Sequence, residues 1–296
     1  MPQLPPRVTP SPSPPRRLAR VRRIVAVASG KGGVGKSTVA VNLALGLARQ
    51  GYRVGLLDAD VHGPNVPLML GVQRRHDARG WAAIVPIATL ADVAPEPRLP
   101  ALERFGIRVM SIGLLVGEEQ AALMDNVGLV GLLVRNLLTM VDWGDLDVLL
   151  VDFPPGTGEP QATLLATVAL DGVALVVTPQ DVALLDTSRA LAAFRASGVP
   201  VLGLVENMSY LRCPHCGERL EVFHRGRVPR AVRDDVPLLA EIPIDPALSE
   251  AGDTGRPLLV VAPDSPPSRQ FLSLARVVGE RLDLATPGSA AADPIV

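Results

Sequence analysis

Cysteine is nearly absent from this chain of 296 residues, which has only two. That excludes a secreted scaffold built on disulfides. Aromatic residues make up 3% of the chain against 48% hydrophobic residues in all, so the core must be assembled from Val, Leu, Ile and Ala. Lysine is rarer than its charge partners. Of 29 basic residues only Lys31 and Lys36 are lysines, and the rest are arginines. No stretch reaches the run of about 18 uninterrupted apolar residues that a membrane-spanning helix needs. The longest candidate, 162–179, is broken at Asp171-Gly172 and reads as helix, turn and strand. No membrane partner is expected. The formal net charge is −1, which gives no basic field and no expectation of nucleic acid.

What is present centres on residues 24–40, IVAVASGKGGVGKSTVA. A short β-branched run is followed by a glycine loop and then by apolar residues at helical spacing (Val39, Leu43, Leu47). Strand, loop and helix in that order are the context required by the phosphate-binding signature G-x-x-x-x-G-K-[ST]. The glycines let successive backbone N–H groups turn inward toward phosphate oxygens. The helix beginning near Lys36 adds its positive end. The expected nucleotide-binding set is Gly30, Lys31, Gly32, Gly33, Val34, Gly35, Lys36, Ser37 and Thr38. In it Lys36 reaches the β- and γ-phosphates and the Ser37 hydroxyl holds Mg²⁺. A chain that uses Arg by default keeps Lys at two places in this loop, where a slim point charge fits and a planar fork does not.

Further strands are expected at 53–58, 106–112, 147–152, 172–178, 200–205 and 238–243, with a possible strand at 81–89. Helices are expected at 119–141, 181–197 and 265–284. Near-continuous aliphatic strands point to a parallel sheet covered on both faces. The predicted fold is therefore α/β, a three-layer P-loop NTPase with a mostly parallel sheet flanked by helices. Asp58 and Asp60 follow the second strand on the ligand side, where a carboxylate can orient an attacking water or hold Mg²⁺ through water. Asp152 ends an apolar strand, DVLLVD, and runs into FPPGTGE; it is placed to coordinate Mg²⁺ through water, and a Gly156 or Gly158 N–H to sense the γ-phosphate. Asn207 lies at another strand end, where its amide either reads the adenine edge or makes a turn. Ile242 to Asp245 are candidates to line the base pocket, and Trp143 is read as packing.

Residues 1–23 carry seven prolines, six arginines and no acid. They are expected to be a disordered tail without the apolar region of a signal peptide. The ATPase domain is predicted to span 24–284, with a metal-binding loop at 208–224 and a small polar tail at 285–296. Within that loop, Cys213 and Cys216 make a C-x-x-C pair. Two thiolates form half of a tetrahedral S₄ site, and a symmetric dimer supplies the other half. A redox dithiol, a one-chain zinc site using His215 or His224, and inert cysteines remain as alternatives. Exposed thiols need a reducing compartment, and the expected location is the cytoplasm.

The pattern GKGGVGKS resembles the deviant Walker A motif of the MinD/ParA/nitrogenase-iron-protein group. That resemblance implies that Lys31 acts across a dimer on the partner's nucleotide. Four segments together are similar to the Mrp/ApbC/Nbp group of iron–sulfur cluster carrier P-loop ATPases: SGKGGVGKST, LDADVHGPNVPLMLG, WGDLDVLLVDFPPGTGE and GLVENMSYLRCPHCG. The resemblance covers about residues 22–283. It implies a homodimer that bridges a [4Fe–4S] cluster through Cys213 and Cys216 of each copy, apo iron–sulfur clients, and ATP governing loading and transfer. It also carries Lys36, Ser37, Lys31 and Asp152 into the roles given above and implies that Asp60 positions the attacking water. Residues 123–127 and 222–228 depart from the usual pattern of that group. A ParA/MinD-like switch, and an ATPase with zinc bridging the dimer, are the competing expectations.

Overall fold

The run of aliphatic residues that opens the chain's most informative stretch forms the central strand of the molecule, and residues on either side of it fix the two hydrophobic layers. The computed structural model describes residues 17–60, 63–72, 99–114, 134, 137–223 and 236–285. The strands are β1 (Val21–Ala28), β2 (Val54–Asp58), β3 (Leu99–Pro100), β4 (Leu102–Arg104), β5 (Ile107–Ser111), β6 (Val141–Asp142), β7 (Leu146–Asp152), β8 (Gly172–Val177), β9 (Val201–Glu206), β10 (Leu211–Arg212), β11 (Arg219–Leu220) and β12 (Leu238–Glu241). The helices are α1 (Lys36–Arg49), α2 (Val66–Met69), α3 (Glu159–Thr167), α4 (Asp181–Ala196), α5 (Pro246–Asp253), α6 (Leu258–Val261) and α7 (Pro266–Arg281).

Among the described residues one sheet has eight strands in the order β12-β9-β8-β1-β7-β2-β5-β4. All its pairings are parallel except β4 with β5. Alternating residues of each strand divide between two cores. Ala26, Leu57, Val151 and Leu175 pack on one face with Phe153 and Phe194. Val25, Leu56, Leu150 and Ala174 pack on the other with α1 and α7. Both faces are thus dry, which is why the strands read as unbroken Val/Leu/Ala runs. Among the described residues no helix is long and apolar enough to cross a membrane.

Strand β1 starts at Val21, three residues before the predicted domain boundary. The arginines that made this stretch look like tail are paired: Arg23 with Asp171 at 3.3 Å, Arg22 with Asp147 at 3.7 Å and Arg20 with Asp145 at 3.1 Å. Their charges sit at the sheet's rim, so polar sequence does not prevent strand pairing there. Other elements fall within a few residues of expectation. The irregular stretch read over 72–104 contains β3 and β4. Strand β4 turns back into β5 through Phe105 and Gly106, both at positive φ (48° and 72°), the backbone of a tight hairpin. Trp143 is buried, and its Nε1 donates to the Leu138 carbonyl at 3.3 Å, the packing role expected of it. The predicted strand at 81–89, most of the helix at 119–141 and the departure at 123–127 lie outside the described residues.

Candidate functional site

The phosphate loop joins β1 to α1 at the carboxyl edge of the sheet. Its two sides are built differently. At its start Gly30 is pressed against α4, where an added Cβ would lie 2.3 Å from the Asp186 backbone carbon. The Gly156 N–H donates to the Ser29 carbonyl at 3.1 Å, so the loop after β7 is tied to the loop after β1. At the outer rim Gly32 and Gly33 have no atom within 4 Å of an added Cβ. Gly33 and Gly35 take φ of 79° and 82°, which only glycine adopts at little cost. Gly35 is the residue before α1 and supplies no side-chain cap, leaving the first N–H groups of the helix directed at the loop.

Charge is concentrated just inside. Lys36, 6% exposed, places Nζ 2.7 Å from Asp152 Oδ1, 3.3 Å from Asp60 Oδ2 and 3.4 Å from Ser37 Oγ. Burial pulls its ammonium down, but Asp152 and Asp60 outweigh that and hold it above the usual lysine range. Asp152 is fully buried, and burial pushes its carboxyl up against the opposing pull of Lys36. Its second oxygen, Oδ2, has no hydrogen-bond partner. A buried carboxylate oxygen left over beside the Ser37 hydroxyl is a donor set of the kind hard cations take, and it fits Mg²⁺.

Asp58, the first of the two acids expected on the ligand side, is held inside the cluster by its own hydrogen bonds. It pairs in register with Asp152 on the neighbouring strand. Its Oδ1 accepts from the Asp60 N–H at 3.1 Å. Its Oδ2 accepts from the Val66 N–H at 3.2 Å and from Ser111 Oγ at 2.9 Å. Asp58 therefore shapes the turn that presents Asp60. Burial, with the Asp152 charge second, pushes its carboxyl up to about 8. A run of two acids two residues apart was the visible signal; which of them turns inward was not.

Asn207 is buried and follows β9, but its Nδ2 donates to the Val34 carbonyl at 2.8 Å. That amide braces the phosphate loop. Lys31 is half-buried on the loop, and among the described residues no carboxylate lies within ion-pair distance of it. Thr38 is half-buried in the first turn of α1, and its carbonyl accepts from Asn42 Nδ2 at 2.9 Å. Asp245 caps α5 by accepting from the Ala247 N–H.

Cys213 and Cys216 sit on the turn of a hairpin made by β10 and β11. The Cys213 N–H donates to the Glu218 carbonyl at 2.8 Å, and the Gly217 N–H to the Cys213 carbonyl at 2.9 Å. Gly217 has φ of 74°, which closes the knuckle. The backbone N–H groups of Cys216 and then His215, with the Cys216 thiol, hold the Cys213 thiol below the usual range. Both cysteines are free; Cys216 is exposed and Cys213 half-buried. Among the described residues no group of three or more His, Cys, Asp or Glu forms a metal site. His215 therefore does not complete one with the two thiols, and His224 lies outside the described residues. Two preorganised sulfur donors from one chain fit half of an S₄ set.

Residues 20–279 match the family described as ParA: NUBPL iron-transfer P-loop NTPase. An iron-sulfur cluster carrier protein of Pyrococcus abyssi is 43% identical over 266 residues, 87% of this chain and 86% of the relative. The iron-sulfur cluster transfer protein NUBPL of Dictyostelium discoideum is 41% identical over 89% of this chain and 78% of its own length. Among solved structures, a nucleotide-binding protein of Archaeoglobus fulgidus in complex with ADP superposes with a TM-score of 0.65 at 37% identity, covering 86% of this chain and 93% of that one. With a match over nearly the whole described length, a phosphate loop of the observed geometry and a paired-thiol knuckle on the same sheet edge, the chain belongs to the ParA/NUBPL family of iron-transfer P-loop NTPases.

Proposed function

We propose that the chain binds and hydrolyses ATP, and that it carries a [4Fe–4S] cluster between two copies of itself for delivery to apo iron–sulfur proteins. The observation that carries this reading is the knuckle: two free thiols on one hairpin turn, and no third ligand beside them among the described residues. The cluster is cargo, held by Cys213 and Cys216 of each copy. Exposed thiols of this kind need a reducing compartment, and the cytoplasm is the proposed one.

In the ATP reaction Lys36 leaves Asp152 for the phosphates, since one ammonium cannot serve both in full. Ser37 and Asp152 would hold Mg²⁺, which when bound neutralises charge on the β- and γ-phosphate oxygens. Asp60, held toward Lys36, orients the attacking water. Gly156 exchanges the Ser29 carbonyl for the γ-phosphate, and Lys31 reaches the nucleotide of the other copy. The charge-stabilising work falls to residues already fixed in place.

Anaerobic reconstitution with iron and sulfide tests the cargo. A brown dimer with about four irons per two chains, lost in Cys213→Ala, is the expected result. A colourless dimer holding zinc would move the thiols to a structural role, and a metal-free monomer that still hydrolyses ATP would overturn the carrier reading. Lys36→Ala is expected to abolish hydrolysis.

A further inference from the structure

We infer that Arg219 and Glu241 are positioning residues that couple the phosphate loop to the cysteine pair, so that nucleotide binding changes the reactivity of Cys213 and Cys216. This deepens the carrier reading and rests on it for the meaning of the thiols. The hairpin that bears them has only two residues in each strand; among the described residues its backbone ties run to the segment after β12, through the Leu211–Ile244 bridge, the Ile244 N–H donating to the Tyr210 carbonyl at 2.7 Å and the Ser209 N–H to the Ile242 carbonyl at 2.9 Å. Something beyond its own backbone must fix its direction, because a two-stranded hairpin of that size does not hold itself.

The clamp is a fork. Arg219, in the second strand of the hairpin, donates from Nη2 to Glu241 Oε1 at 2.9 Å and from Nη1 to Glu241 Oε2 at 3.1 Å. Its Nε donates to Glu221 Oε1 at 3.1 Å. The same guanidinium lies 4.1 Å from the ring centre of Tyr210, which is buried. A bidentate pair with a ring beneath it fixes orientation as well as distance. Glu241 ends β12, so the hairpin is anchored to the edge of the main sheet. Arg219 also pairs in register with Arg212, which directly precedes Cys213.

From Glu241 the contacts run back to the nucleotide loop. Ser209 Oγ lies 3.1 Å from Glu241 Oε1 and 2.6 Å from Glu206 Oε1. Glu206 and Glu241 are register partners on β9 and β12. One hydroxyl proton faces two carboxylates and serves one at a time, so this joint has two arrangements. Ser209 is separated from Asn207 only by Met208, whose φ of 54° is one that residues with side chains seldom adopt. Asn207 in turn donates to Val34 of the loop, and an added Cβ on Gly35 would lie 2.1 Å from its Nδ2 and 4.0 Å from Met208 Cε. A nucleotide that draws Val34 or the Asn207 amide therefore moves Ser209, and with it the carboxylate that holds Arg219. Where the coupling extends to binding equilibria it is reciprocal: a nucleotide that alters the affinity of the thiols for a ligand has its own affinity altered by the same factor when that ligand binds.

The test needs no cluster. The reduced, metal-free full chain is treated with a chromogenic disulfide reagent, and the rate at which its two thiols react is read without nucleotide, with Mg·ATP and with Mg·ADP. Nucleotide affinity is measured alongside by calorimetry. The wild type is expected to change its thiol rate by about fivefold or more on binding nucleotide. Arg219→Ala is expected to keep nucleotide affinity and lose that change. Glu241→Gln, which preserves shape, should do the same and covers the case in which Arg219→Ala does not fold. The exchanged pair, Arg219→Glu with Glu241→Arg, should recover part of it. Thiol rates that ignore nucleotide in the wild type, or that respond equally in both single variants, would overturn the inference. Failure of iron–sulfur reconstitution would not, since it bears on the cargo alone.

Discussion

Lys36 Nζ and Asp152 Oδ1 are 2.7 Å apart, with Lys36 6% exposed and Asp152 not exposed at all. The phosphate-loop lysine and the acid that ends β7 thus neutralise each other. Removing one partner of a buried pair leaves an uncompensated charge, at a cost of about 3–5 kcal/mol. Lys36→Met is therefore expected to lower the unfolding free energy of the nucleotide-free chain on that scale, as read by urea denaturation. Adding Asp152→Asn to it should return part of the loss. A double variant less stable than Lys36→Met alone would contradict the pairing.

Asp58 predicts a pH dependence. Its carboxyl is held up to about 8 in the folded chain, against an unfolded value of about 4. Between those values the folded state binds more protons than the unfolded state, so stability falls as pH rises. Melting temperatures of the nucleotide-free protein measured from pH 5 to pH 9 are expected to decline through this interval. The decline should be shallower in Asp58→Asn. Parallel slopes for the two proteins would remove Asp58 as its source.

Two glycines of one loop should respond in opposite ways to the same methyl group. Gly35→Ala puts a side chain at φ of 82° and a Cβ 2.1 Å from Asn207 Nδ2, so the fold itself should be weakened. An added Cβ at Gly32 meets nothing within 4 Å. Gly32→Ala is expected to melt at or slightly above the wild-type temperature, because it restricts the unfolded chain by about 0.4–1 kcal/mol. It should nevertheless weaken ATP binding if, as proposed, the phosphates enter that open space. Calorimetry with ATP and a thermal melt on both variants check the contrast.

Asn207→Ala strips the Val34 carbonyl of its side-chain donor. A buried acceptor left unsatisfied costs about 1–3 kcal/mol. The variant is expected to lose stability by that amount and to bind nucleotide less tightly through a loosened loop. Unchanged stability would mean that the 2.8 Å contact contributes nothing.

The large elements were readable because each is a local pattern. Strands buried on both faces leave aliphatic runs, and the phosphate loop needs glycines at fixed offsets. What stayed hidden depends on distant partners. Arg20, Arg22 and Arg23 look like tail until Asp145, Asp147 and Asp171 are known to face them. Asn207 advertises a strand end but not a bond to Val34, far back in the chain. Asp58 and Asp60 are equivalent in sequence; only the Ser111 hydroxyl and the Val66 N–H make the first one inward-facing. The C-x-x-C pair announces sulfur chemistry, while the two-residue strands around it are too short to carry a periodic signal.

The phosphate loop holds every lysine of the sequence, and this makes amine chemistry on the protein an address. An amine-acylating reagent has two side-chain targets, Lys31 at the half-buried rim and Lys36 behind two carboxylates, and a lysine-specific protease has cutting sites in that loop alone. A fluorophore or cross-linker introduced through an amine-reactive ester would therefore mark that loop and, besides it, the α-amino group, which acylation at lower pH can block first, because the chain's own composition has cleared lysine from everywhere else.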